Sequence, residues 1–158
     1  MARLTPRFSA NRTIREYTER HYLPAAAAYR ARAADKTAVG KQVVGWKDAL
    51  EQQWAMLHFG DVKVETVEQQ HVFEVQVYLG EVDPDSVRVE LYADGVNGEG
   101  SVHQEMKRIR QLVGAANGYA YSARVAANRA AADYTARVIP HFSGVAVPLE
   151  AAHILWQR

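Results

Sequence analysis

No cysteine occurs among the 158 residues. That excludes a disulfide framework, a thiolate metal site and a thiol nucleophile, and it fits a reducing compartment. Long apolar runs are missing as well. No stretch approaches the ~20 residues of a membrane span, and the opening MARLTPRFSANR lacks the apolar core of a secretory signal. Neither sign of charge dominates: 19 Lys and Arg stand against 18 Asp and Glu, a formal net charge of +1. Such a balance gives no general attraction to nucleic acid or to anionic lipid. These absences read as a cytoplasmic chain with neither nucleic acid nor a membrane as partner.

Catalytic signatures are also scarce. There is no glycine-rich phosphate loop, no GxSxG, and no pair of carboxylates in a glycosidase setting. The histidines (His21, His58, His71, His103, His141 and His153) form no HxxxH or HxH pair. They read as surface or hydrogen-bonded residues, because a metal site would have to be assembled from distant loops. No catalytic, cofactor-binding or metal-binding residue is assigned.

What is present divides near residue 60. Residues 9 to 58 are rich in Ala, Arg, Lys, Glu and Gln, all good helix formers. Ser9 or Asn11 suits an N-cap, and Ile14, Tyr17 and Tyr22 lie on one stripe. Pro24 is expected to end that helix. Val39, Val43, Trp46, Leu50, Trp54 and Leu57 then recur at three- and four-residue steps. Residues 25 to 58 therefore form one amphipathic helix, or two broken near Asp35 to Thr37.

From residue 61 the period changes to two. Strands are expected at 61–67, 71–80, 86–93, 102–112, 118–126 and 133–140. Phe73, Val75, Val77 and Leu79 would face inward, as would Val87, Val89 and Leu91, with Arg88 and Glu90 outward. Asp83-Pro84-Asp85 reads as a turn, in preference to the DxD of a nucleotide-sugar transferase. DGVNGEG, residues 94 to 100, reads as a flexible hairpin loop. In MKRIR, Lys107 and Ile109 would share one face and Arg108 and Arg110 the other, as a solvated surface with cross-strand ion pairs. The tail LEAAHILWQR would seal one edge through Ile154 and Trp156. Short strands at about ten-residue spacing, with no helices between them, predict an antiparallel β-sandwich. The fold class is thus α+β: N-terminal helices over 9–58, then an Ig-like sandwich over 60–158. Tyr78, Tyr92, Tyr119 and Tyr121 are candidates for stacking on sugar rings, although strand tyrosines more often serve as core or cross-strand partners.

FSANRTIREY, residues 8 to 17, resembles the FSxxRTIxxY segment near the C-terminus of α-glucan phosphorylases. The following YLPAA, VVGWKDALEQQW, DPDSVRVELYADG and YTARVIPH are similar, in order, to a bacterial branch whose chain continues into a β-rich extension. The resemblance spans the whole chain. It implies a parent with two Rossmann-like lobes that uses pyridoxal phosphate to release terminal α-1,4-linked glucose as glucose 1-phosphate. It implies that Met1 is an internal methionine of that parent. Residues 1–58 would be the helical segment joined to the catalytic lobes, and 60–158 an accessory domain. The KxSGTxxMK-type cofactor context has no match here, so the isolated chain is expected to be inactive and to hold no cofactor itself. The catalytic lobes are the expected partner, with α-glucan a further possibility and self-association through the 10–22 helix another. A free-standing α-glucan-binding or assembly module is the alternative from a different class.

Overall fold

The structure is a computed structural model, and it describes residues 10–96 and 100–158. Ser9 and the loop residues 97–99 lie outside the described residues, and with them one proposed cap and the tip of the DGVNGEG loop. The chain divides into two compact units at Gly45/Trp46.

The first unit is helical. α1 spans Ala10–Tyr17, a wide π-turn spans Thr18–Tyr22, and α2 spans Leu23–Gln53, its last turns belonging to the second unit. Asn11 is inside α1 and does not cap it. Pro24 does not end the helix either. Proline has no N–H to give to the carbonyl four residues back, and its ring collides with that carbonyl. Here the Leu23 N–H bonds to Thr18 O, five residues back, so the ladder widens just ahead of Pro24 and the helix runs on. The true break comes at Ala34 to Thr37, where Asp35, Lys36 and Thr37 take left-handed φ of 46°, 57° and 63°. Ile14, Tyr17 and Tyr22 on the early stripe are each more than half exposed.

The second unit opens with the end of α2 and a 3-10 turn, Trp54–Met56. Eight strands follow: β1 His58–Val67, β2 Gln70–Tyr78, β3 Val87–Ala93, β4 Val102–Glu105, β5 Lys107–Gln111, β6 Gly118–Ala126, β7 Thr135–Pro140 and β8 Leu155–Trp156. They form two antiparallel four-stranded sheets, β1-β2-β6-β5 and β4-β3-β7-β8, the strand order of an immunoglobulin-like sandwich. The alternation read from the sequence sets the core: Phe73, Val75 and Val77 of β2 and the adjoining Leu79, with Val87, Val89 and Leu91 of β3 and Ala136 and Val138 of β7, are all buried. Tyr134, at the β6–β7 corner, packs edge-on against Phe73 at 5.8 Å. Trp46, Leu50 and Leu57 join this same core, and the Trp46 indole N–H donates to Ser86 O at 3.2 Å.

Three details depart from the period-two reading. The strand expected over 102–112 is two strands in different sheets, divided at the buried Met106. A bulge at Ile109 turns Arg108 and Arg110 to opposite faces, because Arg108 opposes Tyr121 while Arg110 opposes Ala120. Glu90 keeps its outward direction but is buried beneath its neighbours, at 5% exposure. The tail contributes β8, which pairs with β7 at the sheet edge.

On the outer face of the first sheet, Tyr78 lies across Gly60 and Gly118. A Cβ at Gly60 would stand 2.9 Å from the Tyr78 ring, and one at Gly118 would stand 3.0 Å from it.

Leu50 is fully buried in the sandwich core although it belongs to the helix. Leu50→Ala is expected to cost about 2–5 kcal/mol, as a core strand leucine does, measured by urea unfolding. A chain beginning at Trp46 is expected to keep its cooperative transition, whereas one beginning at Gly60 loses it.

Candidate functional site

The place where the chain changes sheets is also where the second unit opens. β4 runs beside β3 only as far as the Glu90–Glu105 pairing. The Met106 N–H then donates to Val89 O at 2.8 Å, and Lys107 is already opposite Ser122 in the other sheet. Val87, Arg88 and Val89 keep β7 on one side and no longer have β4 on the other. The gap is a cleft of about 430 Å³.

Its walls are charged. Arg88 comes from β3, Arg108 from β5, and Asp85 from the 3-10 turn Pro84–Ser86, while Lys107, opposite Ser122, directs its side chain to the outer face of the first sheet. That turn is built as its residues dictate: Pro84 opens it, and the Asp83 carboxylate accepts from the Asp85 N–H at 2.9 Å. The two aspartates therefore diverge, and Asp85 accepts from Arg108 Nη2 at 3.1 Å. Arg88 Nη2 donates to His141 Nδ1 at 3.1 Å. A guanidinium has no acceptor, so Nδ1 offers a lone pair here and the ring proton sits on Nε2. Arg88 Nε lies 3.2 Å from Glu105 Oε2 without hydrogen-bond alignment. Both carboxylates are largely exposed, 82% for Asp85 and 62% for Glu105.

Tyr121 lines the cleft. It is buried, and its hydroxyl makes no well-aligned hydrogen bond, although the Arg108 guanidinium lies close enough to act on it. Burial pushes its phenol above the usual tyrosine value, and the nearby Arg108 charge opposes that rise only in part.

The four tyrosines proposed for sugar stacking lie in three places. Tyr119 and Tyr121 share the core side of β6, and the Arg108 guanidinium sits 5.2 Å above the Tyr119 ring. Tyr78 is on the outer face of the first sheet, stacked on the His58 imidazole at 4.7 Å. Tyr92 is on the outer face of the second. Its hydroxyl donates to Asp94 at 2.9 Å, which holds the phenol above its usual value.

Around Tyr92 stands a second cluster that the sequence did not single out. The Arg137 guanidinium lies 4.6 Å from the Tyr92 ring and 5.0 Å from the Trp156 ring. It also bonds the buried Glu90 carboxylate through Nε at 2.7 Å and through Nη2. His103 Nδ1 approaches the same carboxylate at 3.3 Å. The only sequence signal for this cluster is that Glu90, Arg137 and Trp156 become cross-strand neighbours once β3, β7 and β8 are aligned. Among the described residues, no three His, Asp or Glu side chains are grouped so as to hold a metal ion, and no helix is long and apolar enough to cross a membrane.

Residues 54–158 match the family model described as the glycogen phosphorylase C-terminal domain. No curated protein matches the chain.

Two outcomes follow from these environments. Between the ordinary tyrosine value and the raised value of Tyr121, the folded chain keeps a proton that the unfolded chain has released, so stability falls as pH rises through that window. Urea unfolding above the ordinary value of 10.0 is expected to show a steeper loss for the parent chain than for Tyr121→Phe. At neutral pH the same variant is expected to lie within about 1 kcal/mol of the parent or above it, because it removes a buried hydroxyl that makes no well-aligned hydrogen bond. Arg137→Met leaves Glu90 buried without its cation and is expected to cost about 3 kcal/mol by thermal or urea unfolding. Glu90→Gln in the same chain should return most of that loss.

Proposed function

The chain belongs to the glycogen phosphorylase C-terminal domain family, and from that premise we propose that it serves as a non-catalytic accessory region of an α-glucan phosphorylase. In this reading the cytoplasmic parent enzyme removes terminal α-1,4-linked glucose as glucose 1-phosphate, with pyridoxal phosphate as its cofactor. Residues 1–58 join the catalytic lobes, and 60–158 pack on them. The observation that carries the reading is the family match, which covers every strand of the sandwich.

A second observation supports a packing role. Val62 and Val64 point to the core side of β1, opposite Val75 and Phe73. They nevertheless stay 36% and 42% exposed, beside a 330 Å³ opening that Phe73 and Tyr134 also line. A sandwich edge of this kind suits a domain that is covered by another.

The residues present do not fit the cofactor. A pyridoxal group needs a lysine amine presented into an enclosed pocket, and Lys36, Lys41, Lys47, Lys63 and Lys107 are all exposed. No step is assigned to it in this chain. Glucan contact is a second reading. It draws on Tyr92 and the partly exposed Trp156, whose rings are 5.3 Å apart and flanked by hydrogen-bonding groups.

Blotting of the native source with an antibody against residues 46–158 is expected to show a band several-fold heavier than 17.7 kDa. A single band at that mass would overturn the accessory reading. The purified chain is expected to release no glucose 1-phosphate from maltoheptaose and phosphate. Binding of maltoheptaose that is lost in Trp156→Ala would favour glucan contact.

A further inference from the structure

We propose that β1 is a self-pairing edge: two copies of the chain join antiparallel through it, with Val64 of each on the two-fold axis. The first sheets of the two copies, four strands each, then run on as one. This rests on β1 alone and does not need the accessory role.

β1 is the outermost strand of its sheet, and nine of its ten residues are exposed. The other sheet edges are poorer templates. β8 has two residues and β4 has four. β5 is bulged and carries Lys107, Arg108 and Arg110, which would face like charges in a second copy. β1, by contrast, is regular from Val62 to Val67. Its free backbone groups follow from the hairpin. Glu68 and Gln69, both with positive φ, make a two-residue turn that closes on Val67 and Gln70 as a hydrogen-bonded pair. Pairs alternate from there. Val62, Val64 and Thr66 therefore aim their N–H and C=O groups away from β2, at the open edge.

Charge selects the occupant and the register. Lys63 and Glu65 stand on the outer face, opposite Glu74 and Val72. Glu74 is held by Arg110 at 2.7 Å. Among the described residues, neither Lys63 nor Glu65 is in an ion pair. With Val64 opposite Val64 of the second copy, Lys63 comes opposite Glu65 of the second copy, and Glu65 opposite its Lys63. Both contacts fall at non-hydrogen-bonded positions, where opposed side chains stand closest. A shift of one residue either way sets Lys63 on Lys63 or Glu65 on Glu65. A further shift toward the start of β1 runs into the irregularity between Phe59 and Val62. One register is thus complementary to itself, as a two-fold interface requires.

The inner face agrees. In that register Val64 meets Val64, and Val62 meets Thr66 of the second copy. Val62 and Val64 are the residues left 36% and 42% exposed beside the 330 Å³ opening, so pairing covers apolar surface as well as backbone.

The test is sedimentation equilibrium of the full chain. A single strand-to-strand interface is small, so the average mass is expected to rise from 17.7 kDa toward twice that between about 10 μM and about 1 mM chain. Lys63→Glu and Glu65→Lys each set like charges opposite one another and are each expected to weaken association about tenfold or more. The two exchanges combined should restore it to within about threefold of the parent. Val64→Cys introduces the chain's single cysteine and is expected to oxidise to a linked dimer, because Cα atoms of a hydrogen-bonded pair lie about 5.5 Å apart. A chain that stays monomeric at 1 mM overturns the proposal and leaves the edge to another partner. Association untouched by both single exchanges overturns it in favour of a different surface, such as the 10–22 helix. Failure of the combined exchange to restore association overturns the register.

Discussion

The architecture turns on one residue's width of backbone. After Glu105 the chain must leave one sheet and enter the other, and the Met106 N–H bond to Val89 O is its last tie to the first. Burying Met106 between the layers makes the step possible. It also fixes much else. β4 is short because it has to leave, β3 is uncovered along Val87–Val89, and β5 begins beside Ser122 with its side chains set by the new sheet. The charged cleft is the space this departure leaves behind.

Much of the sandwich was legible because its inner strands alternate cleanly. Phe73-x-Val75-x-Val77, Val87-x-Val89-x-Leu91 and Tyr134-x-Ala136-x-Val138 each present one apolar face, and each became core. What stayed hidden was anything that leaves the period intact while changing its meaning. The residues on either side of Met106 are almost all polar and exposed, so nothing in the pattern marks a change of sheet. The bulge at Ile109 is a backbone choice with no glycine to announce it. The β1–β2 hairpin likewise turns through Glu68 and Gln69, both with positive φ, where Asn-Gly would have been the readable signal. Pro24 misled for the opposite reason: a strong local breaker was absorbed by a wider turn just before it.

The site was legible in its parts and not in its assembly. Aspartates flanking a proline, a short basic run and strand tyrosines were all visible in the sequence. That Arg108 meets Asp85 across 23 positions, or that Arg88 meets His141 across 53, follows only from the crossover and the register of β3 with β7. Glu90 shows the same limit. Outward position on a strand ordinarily means water, yet Arg137, stacked between Tyr92 and Trp156, covers it completely enough to make a salt bridge part of the sheet's interior.

Tyr78, laid across Gly60 and Gly118, links three positions that are distant in the sequence. Neither glycine can acquire even a methyl group while the ring lies there, and the ring has no such bed without both glycines. Drift at any one of the three is therefore conditional on the state of the other two. They form a small unit of epistasis, inherited together or exchanged together.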